Sequence, residues 1–304
     1  MTNSPIHEFA GHKSEEKESD GLGGAATVFA APGEVDPGFE TQWFDSHCHF
    51  DFAAFDADRE ALWQSAQQAG CCGLLIPGIS RQQGQALAGF CAGKPWFYAQ
   101  GLHPYFLTQH RQADIDWLDQ ALTDPGVVAV GEVGLDRILA TTDEILEQQW
   151  HWFRLQVELA EAHRLPLILH IRGMHDEAAS WLRRRRFTHG GMVHAFSGSG
   201  QQAAKWIELG FALGIGGALT HPRAHKLRRT VAALPHSSIL LETDSPDMTP
   251  VFWGAERNDP RTVPLIAAIV ARLQGRLLAE VSTESISVAS LLFSRLSINC
   301  VKRP

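Results

Sequence analysis

Short apolar runs recur along the chain from Trp43 onward, and each is followed by a glycine or polar residue and then by an amphipathic stretch. This order is typical of alternating β-strands and α-helices that build a parallel sheet. The predicted strands are Trp43-Phe44, Gly73–Ile76, Trp96–Leu102, Val127–Val130, Leu167–Leu169, Met192-Val193, Phe211–Ile215 and Ile239–Leu241. Strands at a spacing of roughly 20–40 residues predict a (β/α)8 barrel.

The intervening segments have the period of helices that cover a sheet. In Thr142–His163, apolar residues follow one another at alternating steps of four and three, which gives a single apolar stripe. Val263–Leu273 and Ile286–Leu296 predict the closing helices. A doubly wound open sheet is the alternative, but eight strands in roughly 260 residues with histidines at the strand ends favour a single closed TIM barrel.

Residues 1–40 differ in composition from the rest, being rich in Ser, Glu, Lys, Gly and Pro with no sustained hydrophobic period. We expect a disordered N-terminal leader over 1–40 and one barrel domain over 41–304. The chain of 304 residues has a formal charge of −8, yet residues 1–40 hold 8 acidic and 2 basic groups, which leaves −2 for the barrel. The charge therefore does not exclude a nucleic-acid substrate.

The composition also bounds the cellular setting. No uncharged apolar run approaches the roughly 18–20 residues of a bilayer span, and the N-terminus lacks the pattern of a secretory signal. The 5 cysteines are odd in number and form no CxxC pair, which indicates a reducing compartment. We therefore expect a cytoplasmic protein with no membrane partner. The sequence is compatible with a monomer and leaves the oligomeric state open.

The strongest local motif follows the first strand and reads Asp45-Ser46-His47-Cys48-His49. Histidines at i and i+2 of an extended chain point to the same side, so both imidazoles can bind one metal ion. A lone HxH motif is also compatible with a surface or core coincidence. Cys48 points the other way and is interpreted as a small buried hydrophobe.

Other strand ends repeat this theme. Polar residues follow the fourth, fifth, sixth and eighth strands: Glu132, His170, His194 and Asp244. Because the carboxyl ends of barrel strands open on one face, these side chains converge although they are far apart in sequence. Each has a plain alternative, a hydrogen-bonded core histidine or a helix cap, but together they predict a binuclear metal site.

Further residues are candidates for contacts with a substrate. His103 follows the third strand, and the planar guanidinium of Arg172 suits a phosphate or carboxylate oxygen, although an ion pair with a nearby acid is the alternative. Arg257 and Asn258, in the loop after the eighth strand, are candidates of the same kind, and a plain surface loop explains them equally well.

Seven segments together resemble one known family, the TatD family of metal-dependent hydrolases and in particular its YjjV-like branch. They read FDSHCHFDF, GLHP, VVAVGEVGLD, LPLILHIR, VHAFSGS, ELGFALGIGGALTHPRA and LLETDSPDM, and the similarity covers about residues 43–300. The resemblance implies a TIM barrel of the amidohydrolase type and a divalent-metal nuclease or phosphodiesterase, typically acting on DNA.

The resemblance also assigns roles to individual positions. It implies one metal ion held by His47, His49, Glu132 and Asp244, with Glu132 bridging to a second ion held by His170 and His194. His103 matches an additional active-site histidine of the family. Arg137 stands where many members have an aromatic residue, which leaves the substrate preference open.

These residues predict a hydrolytic mechanism. Two ions of Zn²⁺, Mn²⁺ or Mg²⁺ would lower the pKa of a shared water, Asp244 would orient that water and accept its proton, and Arg172 and His103 would stabilise charge on the phosphoryl oxygens. We expect hydrolysis of a phosphodiester, exonucleolytic at a 3′ end of DNA. The alternatives are hydrolysis of an amide, lactone or aminoacyl ester, and a non-catalytic metal-binding protein.

Overall fold

The structure, a computed structural model, describes residues 41–298. Eight parallel strands form one sheet in chain order: β1 (Trp43–Asp45), β2 (Cys71–Ile76), β3 (Trp96–Gln100), β4 (Val127–Asp136), β5 (Leu167–Arg172), β6 (Gly191–Val193), β7 (Phe211–Ile215) and β8 (Ile239–Leu241). Helices connect them: α1 (Arg59–Gln68), α2 (Arg81–Cys91), α3 (Gln112–Ala121), α4 (Asp143–His163), α5 (His175–Arg185), α6 (Gly200–Glu208), α7 (His225–Ala233), α8 (Val263–Gln274) and α9 (Leu278–Leu292). The predicted (β/α)8 barrel is confirmed, whereas the disorder predicted for 1–40 lies outside the described residues.

Polar contacts close the barrel between its last and first strands. The backbone N–H and the hydroxyl of Ser46 both donate to the carbonyl of Leu241, at 3.0 and 2.8 Å. The buried carboxylate of Asp45 accepts from the hydroxyl of Thr243 at 2.6 Å and from its N–H at 3.0 Å. These bonds fix the chain segments that continue from β1 and β8 side by side.

The barrel interior is filled by one layer of apolar side chains to which every strand contributes. Its members include Phe44, Leu75, Ala99, Val128, Ile168, Met192, Ala212 and Leu240. Val288, Ala289 and Phe293 belong to the same cluster, and Arg295 donates to backbone carbonyls of Asp124 and Val127 at the start of β4. The end of α9 therefore seals the barrel at the amino ends of the strands, and the carboxyl ends stay open.

Several predicted boundaries are shifted by a few residues, among them the end of β5 at Arg172 instead of Leu169, and two elements differ more. β4 extends beyond Val130 to Asp136, because the chain pairs with β5 again from Val133 onward after Gly131 and Glu132 interrupt its apolar run. The last helix is Leu278–Leu292 and not Ile286–Leu296. Its first half buries Ser282 and Ser285 on the side that faces the barrel, so the hydrophobic period is weak there.

Among the described residues, no single helix is long and apolar enough to cross a bilayer. Pro260–Gln274 and Leu278–Leu292 meet the criteria of length and composition only as a pair, across a bend of 109°.

His175, at the start of α5, links stability to pH. Its Nδ1 accepts a hydrogen bond from the indole of Trp206 at 3.2 Å, and its ring lies 5.2 Å from that of Phe196. Burial lowers the pKa of His175 to about 4, whereas an unfolded histidine has a pKa of about 6.5. Below about pH 6.5 the unfolded chain therefore binds more protons than the folded chain. The contribution of His175 to the free energy of unfolding is complete above about pH 6.5 and is about 2 kcal/mol smaller at pH 5.

We expect His175→Gln, which keeps an acceptor but does not titrate, to lose about 2 kcal/mol less stability than wild type between pH 7.5 and pH 5. Urea unfolding at both pH values, in the presence of a chelator, measures this difference. His236→Gln, at an exposed position, is the control. Equal losses in wild type and His175→Gln would contradict the assignment.

Candidate metal centre

The open end of the barrel brings the six predicted metal ligands together. His47 and His49 follow β1, Glu132 lies within β4, and His170 lies near the end of β5. His194 directly follows β6, and Asp244 lies just beyond the end of β8. All are buried except His170 and Asp244, which are partly exposed toward the mouth.

One oxygen of Glu132 faces the ligands from β1 and β8. Glu132 Oε2 lies 3.3 Å from His47 Nε2 and 3.6 Å from His49 Nε2. Asp244 Oδ1 completes this group, at 3.5 and 3.7 Å from the same two nitrogens.

The second oxygen of Glu132 faces a different group. Glu132 Oε1 lies 3.0 Å from His170 Nδ1 and 2.9 Å from His194 Nε2, and these two nitrogens are 3.2 Å apart. His103 Nε2 also lies 3.2 Å from Glu132 Oε1. The carboxylate thus separates two groups of donor atoms.

These donor atoms fit bound divalent cations. Two ligands about 2.1 Å from one ion at tetrahedral angles are about 3.4 Å apart, which matches the separations in both groups. Several buried atoms also have no hydrogen-bond partner among the described residues: both ring nitrogens of His47, Nδ1 of His49, Nδ1 of His194 and Oε2 of Glu242. Unpartnered buried nitrogens are costly, and an ion coordinated by Nε2 of His47 would remove part of that cost.

The pKa values of the two histidines after β1 and of Glu132 agree with metal binding. Burial lowers the pKa of His47 to about 4 and that of His49 well below its usual value, so both imidazoles are neutral and can donate a lone pair. Burial alone would raise the pKa of Glu132, but the nearby histidines, His194 foremost, hold it well below the usual range. Burial raises the pKa of Asp244 to about 7.

Glu132 reaches the barrel axis because its backbone leaves the regular ladder. Its N–H donates to the carbonyl of Gly78 at 2.6 Å, and the N–H of Gly78 donates to the carbonyl of Gly131 at 3.0 Å. β4 therefore contacts the chain beyond β2, and the segment passes over Gly101, where an added Cβ would lie 2.5 Å from the carbonyl carbon of Gly131. Only glycine at position 101 allows this approach.

Two acidic residues that were not predicted as site residues lie near the outer ring nitrogens of two candidate ligands. Asp136 Oδ2 lies 3.1 Å from His170 Nε2, the ring nitrogen that faces away from Glu132. Glu242 Oε1 accepts from the N–H of Ala195 at 2.6 Å and lies 4.0 Å from His194 Nδ1. A carboxylate hydrogen-bonded to the outer nitrogen of a ligating imidazole, as Asp136 is to His170, orients the imidazole and raises its basicity. Glu242 is too far from His194 to form such a bond. The signal was present in the sequence, because Glu242 and Asp244 show the same i, i+2 spacing as the two histidines.

The predicted substrate contacts have different surroundings. Arg172 lies at the mouth with its side chain 59% exposed, 4.0 Å from Asp136. Arg257 instead pairs with Asp58 at 2.7 Å and covers the ring of Phe55 at 4.7 Å. Asn258 is buried, and its amide donates to the carbonyls of Thr243 and Asp247 at 2.8 and 2.9 Å. In this structure, Arg257 and Asn258 hold loops in place.

We expect Gly101→Ala to weaken metal binding by at least about tenfold, because the new methyl group displaces Gly131 and with it the bridging carboxylate. Isothermal titration of the metal-free protein with Mn²⁺ or Zn²⁺ measures the affinity. Gly89→Ala is the matched control, since its Cβ would meet no atom within 4 Å. Wild-type affinity in Gly101→Ala would refute this role of the glycine.

Asp136→Asn tests the carboxylate behind His170. We expect metal affinity to fall by about 10- to 100-fold, because the imidazole loses the charged acceptor that orients it. The same titration measures it, with Asp119→Asn on the outer surface as the control. An unchanged affinity would show that Asp136 does not support the ligand.

Comparison with known proteins agrees with this centre. The chain is 37% identical over 256 residues to the metal-dependent hydrolase YjjV of Escherichia coli (strain K12), which covers 83% of this chain and 98% of the relative. It is 33% identical over 241 residues to the 3′-5′ ssDNA/RNA exonuclease TatD of Erwinia billingiae, covering 76% of this chain and 91% of the relative.

A solved structure and a family model point to the same protein family as these relatives. The crystal structure of Escherichia coli YjjV, a TatD homologue, superimposes with a TM-score of 0.78 at 37% identity, covering 84% of this chain and 99% of the other. The model of TatD-related DNases matches residues 44–294. The chain therefore belongs to the TatD-related DNase family and is a metal-dependent hydrolase with the barrel fold of that family.

Proposed function

We propose that this protein hydrolyses phosphodiester bonds in single-stranded nucleic acid, removing nucleotides from the 3′ end with the help of two divalent metal ions. The observation that carries the proposal is the position of Glu132, whose two oxygens face two separate groups of donors at 2.9–3.6 Å. A carboxylate so placed suits a two-metal site, which is a common arrangement in nucleases and phosphatases. The 3′-5′ exonuclease activity named for the Erwinia relative supports this substrate class.

The chain supplies both groups of ligands. His47, His49, Asp244 and Oε2 of Glu132 would hold one ion, and His170, His194 and Oε1 of Glu132 the other. When bound, such a pair lowers the pKa of water and neutralises the oxygens of a phosphodiester. Mixed nitrogen and oxygen ligands suit Zn²⁺ or Mn²⁺, and Mg²⁺ also serves nucleases.

Asp244 is the proposed proton acceptor. Its carboxylate is partly exposed at the mouth, and burial raises its pKa to about 7 in the protein without metal. As water attacks phosphorus, its proton passes to this carboxylate, the bond between phosphorus and the leaving 3′ oxygen breaks, and that oxygen takes up a proton from solvent water. A base of this kind contributes about 10²- to 10⁴-fold to a rate.

Arg172 and His103 are the proposed contacts for the phosphoryl oxygens. The guanidinium of Arg172 is 59% exposed, and its ion pair with Asp136 is long at 4.0 Å, so it can turn toward an anion. His103 Nε2 lies on the side of Glu132 that faces His170. Two divalent ions would also turn the formal charge of −2 over residues 41–304 into a small positive charge, concentrated at the mouth.

The test uses the protein loaded with Mn²⁺, Mg²⁺ or Zn²⁺ and single-stranded DNA labelled at either end. We expect release of label from the 3′ end and a ladder of shortened products from 5′-labelled strands. Asp244→Asn and Glu132→Gln should lower kcat by at least about 10²-fold, and Asp119→Asn should not. A bis-aryl phosphodiester and a panel of esters, lactones and amides complete the assay.

If DNA stays intact with every metal while an ester or amide is hydrolysed by wild type alone, the nuclease proposal fails and the alternative hydrolase activity stands. If no substrate is turned over although metal binds, the non-catalytic alternative stands.

A further inference from the structure

An aromatic ring covers one of the metal ligands at the mouth of the barrel. The ring of Phe52 stacks on the imidazole of His49, with centroids 4.6 Å apart and planes inclined by 22°. His49 is buried, whereas Phe52 is partly exposed. The imidazole covers one face of the ring, and part of Phe52 is exposed to solvent.

Hydrogen bonds from Arg59 fix the backbone of Phe52 in that position. The guanidinium of Arg59 donates to three successive carbonyls, those of Phe50, Asp51 and Phe52, at 2.8, 3.2 and 2.8 Å. The N–H of Phe52 donates to the carbonyl of His49 at 3.1 Å. A residue whose backbone is already fixed loses less conformational entropy when a ligand packs on its side chain.

The apolar side of the mouth continues beside β3. Phe106, also partly exposed, lies 6.4 Å from the ring of His103 in an edge-on arrangement. The cationic side lies across from β1, because β5, which carries Arg172, is four strands away in a barrel of eight. The ligands of the metal centre thus lie between an aromatic wall and an arginine.

We propose that Phe52 is the stacking surface for the nucleobase of the terminal nucleotide, an inference that rests on the proposed function. A nucleotide has an apolar base at one end and an anionic phosphate at the other. This matches the site, which has aromatic rings on one side of the metal ligands and Arg172 on the other. Aromatic rings bind bases of single strands by stacking, with little dependence on sequence. A base paired within a duplex has its faces covered by its neighbours, so the site favours an unpaired end.

The experiment compares two single-stranded oligonucleotides, DNA and RNA in separate arms, that are identical except that one has an abasic 3′-terminal residue. The measured quantity is the ratio of kcat/KM for the intact and the abasic strand. We expect wild type to favour the intact strand by about 5- to 150-fold. Phe52→Tyr should keep this ratio, and Phe52→Leu should bring it to within about twofold of one.

The ratio compares two substrates on one enzyme, so it does not move if Phe52→Leu also disturbs His49 and lowers metal occupancy. Trp181→Leu, which removes a partly exposed aromatic ring on the outer helix α5, controls for general loss of stability and should keep the wild-type ratio. Equal ratios in wild type and Phe52→Leu would overturn the proposal while nuclease activity stands. Absence of cleavage of either strand by wild type would instead refute the proposed function.

Discussion

The site depends on one buried carboxylate. Five imidazole nitrogens lie within 3.6 Å of the two oxygens of Glu132. Moving a carboxylate charge out of water costs several kcal/mol unless neighbouring groups compensate it. Part of the compensation comes from His194, since burial alone would lower its pKa but Glu132 and Asp244 raise it above the usual value. A divalent cation on each side of the carboxylate would replace that proton with a larger charge. The neutral state of His47 and His49 leaves their lone pairs free for this purpose.

Backbone contacts of the barrel wall help to place that carboxylate. Gly78, Gly101 and Gly131 let β4 bend toward the axis, and the seam between β1 and β8 then fixes the facing ligands. There the N–H of Asp244 donates to the carbonyl of His47 at 2.9 Å, so these two ligands from opposite ends of the chain keep a constant separation. Asp45, whose pKa burial raises to about 7, serves this closure and does not take part in the ligand set.

The sequence allowed the barrel to be predicted, and with it the convergence of six candidate ligands at one end, because both follow from local order. An apolar run that ends in a histidine or carboxylate marks a strand end, and parallel topology brings such ends together. The extent of β4 escaped prediction, since Gly131 and Glu132 break the apolar pattern at the point where function requires it. The position of Arg257 escaped it for another reason: its partner Asp58 is 199 residues away in the chain, and no spacing rule connects two loops at that separation.

The closed amino end of the barrel determines how a substrate enters the site and how a product leaves it. Within residues 41–298, Phe293 and the neighbouring residues at the end of α9 fill the amino end of the barrel, so the mouth serves as both entrance and exit of the site. For the proposed nucleic-acid substrate, the excised unit would have to leave through the opening that the shortened strand still occupies, so each round of cleavage would compete with release of the strand.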